Sequence, residues 1–146
     1  MNRKTSKTTE NEELSLSKAA ELLLEESRMV LPGIQGLFGF QLIAVFNSTF
    51  SEKLNPIEQR LHLLAIALTG IAIIIIMTPP ALHRQTGPRD VTQGFINLAT
   101  RLMLFSMVPL ALSIGLDFYL ISRIILNNIL LSLIFTLVLL TLFILL

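Results

Sequence analysis

Arg101 is the one charge set well inside an apolar segment of this chain. Gln93, Asn97 and Arg101 recur every four residues, so on a helix they form one polar stripe. A guanidinium in lipid needs a partner or a route to the headgroups. Glu25 and Glu26, at the base of the first apolar stretch, are candidate partners, and a Glu–Arg cluster is an arrangement that ion exchange could use. The plainer alternative is an Arg101 that snorkels towards phosphates. A second polar group lies in and just beyond "LPGIQGLFGFQLIAVF". Gln35, Gln41 and Asn47 carry amides, which can coordinate an ion or water but cannot relay protons alone. They are expected to act either as interhelical glue or as the lining of a polar path. On a helix, Gly33, Gly36 and Gly39 share an arc of about 120°, with Gln35 beside Gly39 and Asn47 near Gly36. That arc is expected to be a packing face, since small residues let a neighbouring helix approach. Gln41 points away from it and needs a different neighbour.

Other chemistry is thin. His62 and His83 are 21 residues apart, about 30 Å along a helix, so they cannot share a metal within one chain. His83 and Arg84 read as an interface pair that touches headgroups or a loop. Asp117 and Arg123 flank an expected turn and could pair there, and Asn127 and Asn128 read as packing residues. No nucleophile stands beside a base, and no phosphate loop or paired catalytic carboxylates stand out. An enzyme is therefore not expected, nor a cofactor or a bound metal.

The elements that must position these residues follow from composition. Hydrophobic residues make up 53% of the 146 and charged residues 14%, with a mean hydropathy of +0.73. One soluble core of this size could not hide so much apolar surface, whereas lipid as solvent removes the difficulty. The net charge of +1 and the lack of a basic patch argue against nucleic acid. Cysteine is absent, which excludes thiol chemistry. The polar start, "MNRKTSKTTENE", lacks the apolar core of a cleavable signal.

Residues 1–13 read as a disordered polar tail. Residues 14–28 read as an amphipathic helix, with Leu16, Ala20, Leu23 and Val30 on one face and Lys18, Glu21, Glu25 and Arg28 on another. Four spans are expected at about 29–50, 61–78, 95–116 and 121–146, each near the ~20 residues that cross hydrocarbon. Pro32 should loosen the first. Asn55-Pro56-x-Glu58 should start the second, and Pro79-Pro80 should end it. Asp90-x-x-Gln93 is a second plausible capping box, and Gly115 with Asp117 marks a turn. The fold expected is all-α: an integral membrane four-helix bundle with an N-terminal amphipathic helix. With four spans, Arg3, Lys4, Lys7, Lys18, Arg28, Arg84 and Arg89 share one side, and Lys53, Arg60 and Arg123 the other. That excess places both termini in the cytoplasm, in a cell (inner) membrane.

"ELLLEESRMVLPGIQGLFGFQL", "MTPPALHR" and "NLATRLML" together resemble a family of small bacterial four-helix membrane proteins with no established function. The resemblance covers about residues 20 to 125. It rests on Glu21, Glu25 and Arg28, then Gly33, Gln35, Leu37 and Phe38, then Pro79 or Pro80 with His83 and Arg84. Some relatives are described as sodium:proton antiporters. Such exchange needs an acid deep in the membrane. No Asp or Glu falls in the core of an expected span, so a kinked first helix would have to draw Glu25 or Glu26 towards Arg101. Two functions are therefore expected, the first slightly favoured: a structural or accessory component of an oligomer or membrane assembly, or a small cation transporter or channel. The expected partners are the lipid bilayer and a second copy or another membrane protein.

Overall fold

The computed structural model describes residues 3–86 and 91–145, with side chains described over 15–85 and 91–145. Among these the regular structure is all α-helix: α1 (Arg3–Val45), α2 (Ser48–Lys53), α3 (Pro56–Thr86), α4 (Gln93–Leu126) and α5 (Ile129–Leu145). Three stretches are long and apolar enough to cross a membrane: Ser15–Val45, Pro56–Gln85 and Gln93–Leu126. Their mean hydropathies are 1.3, 2.5 and 1.8. Most of their large apolar side chains stay exposed, among them Phe40, Leu63, Ile74 and Leu104. Such a surface suits lipid, not water, and the protein is a membrane protein.

The buried positions show why these helices associate. Ala20, Leu24, Ser27, Ile34 and Gln41 are buried on α1; Glu58, His62, Ala65, Thr69, Ala72 and Ile76 on α3; Ser106, Leu110, Ser113 and Leu120 on α4. Each set steps by three and four residues, or by seven, and so keeps one seam facing its neighbours. The seam is rich in Ala, Ser and Thr, which let helix backbones approach when lipid supplies no hydrophobic drive between them. An apolar cluster of Ile34, Ala72, Ile76 and Leu110 closes the middle, flanked by Leu31, Leu37, Ile73 and Ile114.

Several expected boundaries move. The polar tail, the amphipathic stretch and the first span are parts of one helix from Arg3, which passes through Pro32. That helix ends at Val45 and not near residue 50, because Asn47 caps α2 by accepting the Thr49 N–H at 3.0 Å. Pro79 and Pro80 do not end α3, which runs on to Thr86 and places His83 and Arg84 in its last turn. A proline pair removes two backbone donors, yet packing holds the helix, with Pro79 fully buried. The box at Asn55 forms as its residue types require. Its Oδ1 accepts from Ile57 N (2.9 Å) and Glu58 N (3.0 Å), while its own N–H donates to Glu58 Oε2 (2.9 Å). Asp90 lies outside the described residues; α4 is capped by Thr92, whose hydroxyl accepts the Phe95 N–H at 3.2 Å.

The largest correction concerns the third and fourth spans. There is no turn at Gly115–Asp117, and α4 continues to Leu126. Gly115 is buried against Leu140 of α5, so it serves close helix approach and not a break. The break falls at Asn127, in the left-handed region at φ 49°, a conformation that short polar side chains tolerate. Asn128 then caps α5, its Oδ1 accepting from Leu130 N (3.0 Å) and Leu131 N (3.2 Å). The two asparagines, expected to pack inside a span, make the hairpin. The 17 residues of α5 fold back along α4, and Ser132 and Thr136 bury their hydroxyls by donating to carbonyls four residues earlier. Among the described residues there are thus five helices, three of them long and apolar enough to span, so the expected count of four spans is not confirmed.

Candidate functional site

Three helices bring polar side chains to one place. Gln41 on α1 is buried and its Nε2 donates to Ser113 Oγ (2.9 Å) and Asp117 Oδ2 (2.6 Å), both on α4. On α3, His62 places Nδ1 2.9 Å from Asp117 Oδ1 and Nε2 3.0 Å from the Gln41 carbonyl oxygen. Ser113 Oγ donates to the Ala65 carbonyl at 2.7 Å. The Thr69 hydroxyl sits 2.7 Å from Ser113 Oγ, and since the Ser113 proton is already committed, Thr69 is the donor there. Gln41, His62, Thr69 and Ser113 are all buried.

Both ring nitrogens of His62 thus face oxygen acceptors, a carboxylate and a carbonyl. A neutral imidazole can donate to only one of them, so losing or gaining a proton breaks or makes a bond in this cluster. Gln41 Oε1 is buried with no hydrogen-bond partner among the described residues. Every other polar atom of the amide, the serine and the carboxylate has one, so this oxygen is a free acceptor at the centre of a satisfied network.

A cavity of about 320 Å³ borders the cluster, with Gln41, His62 and Asp117 as its polar wall and Leu37, Phe40, Phe50 and Leu120 among the rest. The Phe50 ring of α2 lies 5.2 Å from the His62 ring. Beyond α2, a larger and more polar cavity of about 750 Å³ is lined by Glu52, Lys53, Glu58, Arg123 and Asn127. Leu54 and Ile124 line both spaces and form the partition. Glu58 Oε1 meets Arg123 Nε at 3.4 Å in the outer space. Polar groups therefore run inwards from the helix ends to Thr69, about 20 Å down α3 at 1.5 Å per residue, and stop at the Ile34–Ala72–Ile76–Leu110 cluster.

The residues singled out from sequence distribute differently. Gln41 does find a neighbour away from the glycine arc. Gln35 is exposed and Asn47 is an exposed cap, and neither joins the hydrogen-bonded group around Gln41. Arg101, Asn97, Glu25 and Glu26 are all exposed. Within the stripe, Gln93 Nε2 donates to Asn97 Oδ1 at 3.3 Å. Among the described residues, however, no ion pair joins Arg101 to Glu25 or Glu26; the pairs are His62–Asp117 and Arg123–Glu58. Arg123 thus takes Glu58 in place of Asp117. A Cβ added at Gly33, Gly36 or Gly39 would meet nothing within 4 Å, so within this chain the arc is open. Ile34 and Gln41, on the other side of α1, face the bundle. Among the described residues no three His, Cys, Asp or Glu side chains gather as a metal site would require.

Sequence reasoning missed His62 and Asp117 as partners. The signal was present in the three-and-four spacing: Glu58, His62, Ala65 and Thr69 on one helix, Ser106, Leu110, Ser113 and Asp117 on another. Reading a turn at Asp117 removed it from the membrane and hid the match.

These features define a class: a small all-α membrane protein with a His–Asp–Gln centre between its helices. Within that class, the chain belongs to a family of unknown function, DUF6328, whose model matches residues 9–146. No curated protein matches the chain. No solved structure matches it either.

Proposed function

We propose that this protein is a small cation transporter, in which Asp117 and His62 take up and release the moving charge, most simply a proton. The observation that carries the reading is the His62 ring held between two acceptors beside a carboxylate, on helices long and apolar enough to span a membrane. Ionisable groups within spanning helices are costly and tend to be tied to ion pathways. Gln41 adds a free oxygen, and the two cavities supply an approach from the α2 end. Occupation of Asp117 by a proton or a competing cation weakens its hold on Gln41 Nε2 and His62 and so loosens α1 from α3 and α4. Passage to the other side requires the Ile34–Ala72–Ile76–Leu110 cluster to part. No enzyme chemistry is part of this reading. The protein would sit in the inner membrane with its amino terminus in the cytoplasm, and α5 would return along α4 part of the way towards that side.

The second reading is a structural or accessory component of an oligomer. It is favoured by one observation, the open glycine arc with Gln35 exposed beside it. Purified protein in proteoliposomes with a trapped pH dye, challenged by sodium and potassium gradients, separates the two. Transport predicts a protein-dependent response that Asp117→Asn abolishes and Arg101→Ala leaves intact. No response from correctly inserted protein would remove the transport reading and leave the accessory one.

A further inference from the structure

At the opposite end of the bundle from His62 and Asp117, a cavity of about 480 Å³ opens between α1 and α3. Its rim carries Arg28 from α1 with His83 and Arg84 from α3; its wall includes Leu31, Ile76 and Met77. Among the described residues no acidic side chain lines it. Among the described residues, neither arginine enters an ion pair. The His83 ring is steadied against Phe95 of α4, with centroids 5.8 Å apart.

We propose that this cavity binds one anionic phospholipid, its phosphate held by Arg28 and Arg84 and an acyl chain laid along Leu31, Ile76 and Met77. Charge complementarity selects the headgroup. Arginines from two different helices line one space, among the described residues neither forms an ion pair, and guanidinium matches phosphate in a forked, two-bond geometry. Depth agrees. From Pro56 to Arg84 the helix rises about 42 Å, close to the full thickness of a bilayer with its headgroups. With Pro56 at one surface, Arg84 lies at the phosphate level of the other. The apolar wall follows directly inward of the charges, where the chains of a lipid begin. Placing His83 and Arg84 only to complement the last turn of α3 leaves Arg28 unexplained, since it belongs to the interior of another helix.

The test is native mass spectrometry of the full chain released from nanodiscs of equal phosphatidylglycerol and phosphatidylcholine. The expected result is one retained phosphatidylglycerol, favoured at least tenfold over phosphatidylcholine. The double substitution Arg28→Gln with Arg84→Gln should abolish that preference, and Arg101→Gln, which removes an exposed arginine elsewhere, should keep it. Should the double variant fold poorly, Met77→Trp fills the apolar wall with both arginines in place and should release the lipid. Equal retention of the two lipids would overturn the proposal. So would preference that survives both the double variant and Met77→Trp. Displacement of the retained species by millimolar inorganic phosphate would overturn the lipid assignment in favour of a free anion. None of these outcomes depends on ion flux, so the proposal stands or falls apart from the transport reading.

Discussion

The two ends of this bundle treat charge in opposite ways. At the α2 end, Glu58, His62 and Asp117 are drawn into the seam, and each is matched: Glu58 by Arg123 and the Asn55 backbone, His62 and Asp117 by each other. At the other end, Glu25, Glu26, Arg28, Arg84 and Arg101 stay exposed and unpaired among the described residues. The difference follows from what surrounds them. An ionised group enclosed by helices in lipid has no water to fall back on and must carry its partner with it. A long side chain near a helix end can instead reach the interface, where phosphates and water serve. Position on the seam, and not the presence of charge in an apolar segment, separates a buried centre from a surface contact.

The sharpest break of that comparison is Asp117→Ala. It strips His62 Nδ1 and one of the bonds of Gln41 Nε2 of their acceptor, and removing one member of a buried pair costs about 3–5 kcal/mol. Arg101→Ala, at an exposed site, should stay within about 0.5 kcal/mol. Reversible unfolding in mixed micelles by circular dichroism would read both. Comparable losses for the two would mean that the ends do not differ. Ser113→Ala is a milder probe. It takes an acceptor from Gln41 and Thr69 and a donor from the Ala65 carbonyl, and leaving such groups unpaired costs about 1–3 kcal/mol. A change well below that would show that water replaces the hydroxyl and that the centre is wetter than its enclosure implies.

The helices themselves were legible in the sequence, because apolar length and the Asn55-Pro56-x-Glu58 start are local signals. The centre was half legible. Gln41 stood out as an amide that needed a neighbour other than the glycine arc, but its neighbours lie 72 and 76 residues away. Asp117 was hidden by a local rule that misfired. Gly115 followed by Asp117 reads as a turn, yet tertiary contacts with Leu140 and His62 use the two residues inside a continuous helix. Asn127 and Asn128 carried the true break, but asparagine also packs between membrane helices, and the sequence alone did not choose. The positive φ of Asn127 offers a check. Asn127→Val puts a β-branched side chain into left-handed backbone and should cost about 1–2 kcal/mol, while Asn127→Gly should be close to neutral; equal losses in the same melts would show that the asparagine side chain, not its backbone, makes the hairpin.

The smallest expected effect is the one that bears most on what covers the protein. Gly115 and Gly36 are both glycines within candidate spans, and they differ only in what surrounds them. A Cβ at Gly115 would fall 2.8 Å from Leu140 Cδ2, so Gly115→Ala must push a leucine branch aside and should weaken the α4–α5 contact by about 1 kcal/mol or more. A Cβ at Gly36 meets nothing within 4 Å, so Gly36→Ala should gain helix propensity, about 0.5–1 kcal/mol, in an isolated chain. If the glycine arc is instead an interface with a second copy, Gly36→Ala inserts a methyl where two backbones meet and should lower the dimer fraction. Mass photometry of protein in native lipid particles, run beside the melts, tells these apart. A monomer stabilised by Gly36→Ala leaves the arc facing lipid, and with it the accessory reading loses its one supporting observation. A dimer that dissociates makes the arc the oligomer seam, and the buried centre and the open face would then serve different functions on opposite sides of the same helix.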